Sequence, residues 1–189
     1  RGRCAGGIGV LIKDTLEYQA ITRFYGERTT KRSGVRLMNH IDEGLAIMAI
    51  LGASNDARRA FCLHPLFQAD AEMTTVGVAF LDDQYKNPVP IFLAMEYRYR
   101  ANSFLADKVE VRTDLGGPVY VFNGLATPGP LPELRDMLIA DKVQNRKDFE
   151  QFHKGTHVHS DQLDHYFRYW LNVLGISEKR YEQLREHIK

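Results

Sequence analysis

The chain has 189 residues, 44% hydrophobic and 26% charged, which suits one domain (1–189) with a sizeable core. Its formal net charge of +1 gives no electrostatic argument for nucleic acid or an anionic membrane as partner. No apolar run nears the ~20 residues of a membrane helix. No secretory leader is visible, and Cys4 and Cys62 form no metal motif, so a reduced, cytoplasmic protein is expected. The chain opens on Arg1 instead of Met, which points to a start lying upstream.

The predicted elements are mostly helical. Ile8, Ile12, Leu16, Ala20 and Phe24 recur at helical spacing, and Gly26 ends that face. A basic loop follows, with Arg28, Lys31, Arg32, Ser33, Gly34 and Arg36. A second helix is expected from Leu37 to Leu51, closed by Gly52, and a third is capped by Ser54 and ended or kinked at Pro65. Thr74 to Leu81 suits a short strand or a helix. Pro90 opens a helix to about Leu105. Residues 106–131 read as a loop-rich insertion, with a strand or small β-hairpin at Val119–Phe122. Pro132 opens the next helix, and Ser160 and Ser177 cap the last two.

Three polar side chains fall on the apolar stripes of three of these helices. His40 lies beside Leu37, Ile41, Leu45 and Met48. His64 continues Ala57, Ala60 and Phe61, and Asp141 continues Leu134, Met137 and Leu138. Polar groups in such positions are costly unless hydrogen-bonded, paired or bound to metal. Singly, each histidine reads as a hydrogen-bonded core residue and Asp141 as the partner of Arg36 or another base. Together they read as a set of metal ligands, with zinc or manganese as the divalent candidates.

Arg32-Ser33-Gly34-Val35-Arg36-Leu37-Met38-Asn39-His40 resembles the opening motif of the hydrolase domain of the Rel/SpoT alarmone enzymes, roughly R-K-S-G-x-P-Y-x-x-H. Those are metal-dependent phosphohydrolases of the HD superfamily. Ala60 to His64 resembles the helix ending in that family's His-Asp dyad, and Ile139 to Arg146 resembles its L-A-D-R-L-H-N-M-R stretch. The resemblance implies an all-α, HD-domain-like bundle and a metal on His40, His64 and Asp141. It also implies a small-molecule nucleotide pocket from Arg32, Ser33, Gly34, Arg36, Asn145 and Arg146. The departures are Pro65 in place of the dyad aspartate, and Gln68-Ala69 in place of the Glu-Asp pair that handles the attacking water. No catalytic base is therefore assigned; Gln68 and Asp70 are the nearest candidates, with Glu72 beyond. Losing that pair is expected to slow hydrolysis by roughly 10²–10⁴-fold.

Three readings result. The first is a nucleotide-directed phosphohydrolase or its diverged descendant. The others are a catalytically inactive nucleotide-binding pseudoenzyme and a structural helical protein whose polar core is a hydrogen-bond network. His153, His157 and His159 read as a polar loop, and in Tyr97-Arg98-Tyr99-Arg100 the tyrosines are expected to pack while the arginines are solvated.

Overall fold

The computed structural model describes residues 11–31, 33–81, 87–105, 109–112, 119–122, 125–127 and 129–188. They form an all-α bundle of α1 (Leu16–Tyr25), α2 (Leu37–Leu51), α3 (Asn55–Gln68), α4 (Asp70–Glu72), α5 (Val78–Phe80), α6 (Pro88–Leu105), α7 (Pro132–Phe152), α8 (Ser160–Val173) and α9 (Glu178–Arg185). A π-helical turn, Met73–Gly77, joins α4 to α5, so the segment open between strand and helix is helical. Between α6 and α7 lies an antiparallel sheet of β1 (Val109–Arg112), β2 (Val119–Phe122) and β3 (Leu125–Thr127), in that order. Val109 faces Phe122 and Tyr120 faces Thr127, which enlarges the expected hairpin by a strand.

Short side chains fix several helix starts. Ser54 Oγ accepts from the Ala57 N–H and Ser177 Oγ from the Arg180 N–H. Thr15 does the same for Tyr18, and this corrects the first predicted helix. The cap holds Thr15 extended, so Ile12–Asp14 forms a separate 3-10 turn. Leu16 is left exposed while Ile21 is buried. At α8 the predicted cap is displaced by one residue: Ser160 is inside the helix, and its Oγ accepts from the Gly155 N–H.

α3 is the central helix. It packs against α6 along its length and also touches α1, α2 and α7. Ala57, Ala60, Phe61, Cys62, Leu63 and Leu66 have no solvent exposure. Its contact with α2 depends on Gly44: a Cβ there would lie 2.2 Å from Phe61 Cε1, so only hydrogen admits the ring. Burial pushes the Cys62 thiol pKa well up, and the carboxylates of Glu17 and Asp42 push the same way.

α3 does not end at Pro65 but runs on to Gln68. Its missing N–H would have bonded the Phe61 carbonyl, and that oxygen takes His64 Nδ1 at 2.6 Å instead. The helix ends where Arg98 Nη1 donates to the Phe67 and Gln68 carbonyls, satisfying orphan acceptors of the last turn. Arg98 is thus a structural cap and not a solvated arginine. Tyr97 is buried, while Tyr99 is largely exposed.

A candidate metal centre at the base of a cavity

The three stripe residues meet. His40 comes from α2, His64 from α3 and Asp141 from α7, and one ligand atom of each lies within 4.8 Å of the others. His40 Nε2 is 3.2 Å from His64 Nε2 and 3.6 Å from Asp141 Oδ1. Ligand atoms ~2.0–2.2 Å from a tetrahedral zinc are spaced about 3.3–3.6 Å apart, so the two His40 spacings suit a small divalent cation, and the His64–Asp141 pair lies within 4.8 Å. This is the one such group of His, Cys, Asp or Glu among the described residues.

The hydrogen bonds behind the histidines define their chemistry. Gln144 Nε2 faces two carboxylates, Glu43 at 3.1 Å and Asp148 at 2.7 Å, so that end of the amide must be the NH₂. Gln144 Oε1 therefore accepts from His40 Nδ1, at 2.7 Å. The Phe61 carbonyl likewise requires a proton on His64 Nδ1. With both Nδ1 atoms donating, each neutral imidazole turns an Nε2 lone pair inward. Two lone pairs and a carboxylate oxygen then face one another, an arrangement that needs a proton or a cation between them. Outer hydrogen bonds of this kind commonly orient metal-binding histidines.

Asp141 is satisfied on both oxygens. Asn145 Nδ2 donates to Oδ1 at 2.8 Å and Lys142 Nζ lies 2.9 Å from Oδ2, while burial, with the Asp141 charge behind it, pushes the Tyr97 phenol pKa up. Burial alone would raise the Asp141 pKa, but the Lys142 ammonium and the histidine pair hold it down at about 2. Burial lowers that of His64 to about 3, assisted by His40. Phe61 and Tyr97 flank His64 with ring centroids 4.7 Å away, giving the site an apolar floor.

Above this floor is a cavity of about 600 Å³, a size that admits a nucleotide-scale ligand. Ser33, Arg36, Gln68, Asn145, His153 and His157 are among the residues that line it. Arg32 lies outside the described residues. Gly34 has a left-handed φ of 69° in the loop beside the cavity. Arg36 is paired with Glu27 at 2.8 Å, so Asp141 takes Lys142 and not Arg36 as its ion-pair partner.

Two sequence expectations are corrected. Arg146 does not face the cavity: it is 1% exposed, bonded to Glu150 and bidentate to Glu178, with its guanidinium 3.9 Å from the Tyr181 ring centroid. One residue on from Asn145, it points about 100° round the helix toward α9. Asp70 is exposed and paired with Arg98, and it does not line the cavity that holds the histidines. The sequence reading missed Tyr97, Lys142 and Gln144. Gln144 carries a faint signal, because it lies one turn beyond Asp141 on the same face. Lys142 carries none, since a lysine in a helix is ordinarily solvated.

No known family, curated protein or solved structure matches this chain.

Proposed function

We propose that this chain is a nucleotide-directed, metal-dependent phosphohydrolase of the HD type, diverged from enzymes like the Rel/SpoT hydrolase domain and slow in turnover. One observation carries the reading: two histidines with inward Nε2 lone pairs converge with Asp141 at the base of a nucleotide-sized cavity. His40, His64 and Asp141 would hold the cation, which would supply the positive charge that phosphate-ester hydrolysis requires. The chain's own residues would do the rest. Asn145, Lys142 and Arg36 line the cavity; Asn145 would read a base edge or a sugar hydroxyl, and Lys142 and Arg36 would meet phosphate oxygens. Gln68 and Asp148 are polar wall residues able to orient water, but Asp148 is already tied to Gln144 and Lys147. That leaves weak general-base assistance and slow chemistry.

The test is metal analysis of purified protein, followed by hydrolysis assays on guanine nucleotides bearing a pyrophosphate ester. Near-stoichiometric zinc or manganese and a slow rate abolished by His64→Ala are expected. Robust turnover insensitive to His64→Ala overturns the assignment. A second reading, an inactive nucleotide-binding protein, is favoured by Lys142, whose charge already neutralises the single anionic ligand. Nucleotide binding by calorimetry without turnover selects it. Absence of both metal and nucleotide binding leaves a structural helical protein with a polar core.

A further inference from the structure

We infer that Pro65, by withdrawing one backbone donor from α3, is a positioning residue that locks His64 in the tautomer whose lone pair faces His40 and Asp141. The inference rests on reading these three residues as a metal site. It assigns a role to the residue by which the chain departs most sharply from the HD pattern.

In a regular helix the N–H of residue 65 bonds the carbonyl of residue 61. Proline has no N–H, so the Phe61 oxygen is released inside a fully buried segment, where an unpaired carbonyl is costly. His64 Nδ1 fills that vacancy at 2.6 Å. The bond runs only three residues back along the same helix, so the proline and its histidine neighbour are a self-contained device. A carbonyl can only accept, so the contact holds the proton on Nδ1 and leaves Nε2 bare. The rings of Phe61 and Tyr97, each centred 4.7 Å away, restrict rotation of the imidazole. Gln144 does the equivalent for His40 through a side chain, oriented by Glu43 and Asp148. The two locks are built separately, one from the backbone of α3 and the other bridging α2 and α7, and they act on imidazoles whose Nε2 atoms lie 3.2 Å apart.

The experiment uses the full chain with ¹⁵N-labelled histidine. Long-range ¹H–¹⁵N correlation in the presence of a chelator reads each imidazole tautomer, and zinc titration against a competing chelator reads affinity. In the wild type, His64 is expected as the Nδ1–H form. Pro65→Ala returns an N–H that competes for the Phe61 oxygen. It is expected to move His64 toward the Nε2–H form and to weaken zinc about tenfold to a hundredfold. Because alanine favours helix interiors, Tm should hold or rise while affinity falls, which general damage to the fold would not produce. Pro65→Ala should act first on His64 and Gln144→Leu first on His40, with any change at the second histidine passing through the 3.2 Å contact of their Nε2 atoms.

A wild-type His64 in the Nε2–H form overturns the inference. So does a Pro65→Ala protein with an unchanged His64 tautomer, whatever its affinity. If the wild type binds no zinc or manganese, the metal reading fails by itself, and the tautomer comparison still decides whether Pro65 sets His64.

Discussion

At the scale of single residues, Lys142 has the sharpest consequence. It is 6% exposed and pairs with Asp141, which is 4% exposed. The ammonium stabilises Asp141 in the absence of metal and repels a divalent cation in its presence. Lys142→Met should therefore destabilise metal-free protein by about 3–5 kcal/mol, the usual effect of stranding one buried charge. It should also bind zinc more tightly than wild type. Thermal unfolding with a chelator and then with excess zinc reads both effects, and a variant whose Tm zinc fails to restore would contradict the arrangement. This residue also shows where sequence reading stops. His40, His64 and Asp141 were legible because an apolar stripe makes a polar intruder conspicuous. Lys142 and Arg146 were not, because their burial depends on Asp141, Tyr166, Glu178 and Tyr181, partners that periodicity cannot reveal.

At the scale of elements, the histidines depend on how closely α2 approaches α3. Gly44 sets that distance, and the Phe61 ring it admits also lies 5.6 Å from His40 and 4.7 Å from His64. Gly44→Ala has to displace an inflexible core ring, with no flexible side-chain end to move aside. It should cost about 1–3 kcal/mol despite the better helix propensity of alanine. Urea unfolding of the variant gives the number, and a gain in stability would mean that the helices separate at little cost. Helix spans were mostly readable, since Gly26, Gly52 and Pro132 punctuate and Ser54 and Ser177 cap. The first helix was misread because a continuous apolar series outweighed one threonine. α3 does not end at Pro65, because the carbonyl that proline leaves unpaired has a substitute donor next to it.

For the whole molecule, the buried site fixes how stability responds to acid. His64 takes up a proton near pH 6.5 in the unfolded chain but only at about 3 when folded, so the unfolded state binds more protons between these values. Stability therefore falls as pH drops below about 6.5. Asp141, ordinarily near 3.8 and held at about 2 in the fold, steepens the loss below pH 4. The limb from His64 alone should approach about 1.4 kcal/mol per pH unit. Urea midpoints at pH 7.5, 5.5 and 4.5 follow it, and a midpoint constant from 7.5 to 4.5 would show that His64 charges freely in the native state.

The Cys62 thiol, next along α3 from Phe61, is a clock for the opening of the bundle. Being buried and strongly disfavoured as thiolate, it reacts with an alkylating reagent only when α3 loosens from its neighbours. A cation on His40, His64 and Asp141 would staple α2, α3 and α7 together, and by mass action would make such openings rarer. In a Cys4→Ser background, zinc at 100 times its Kd should slow Cys62 labelling by about a hundredfold, if labelling requires release of the metal. Labelling at the same rate with and without zinc would show that α3 breathes without disturbing the metal.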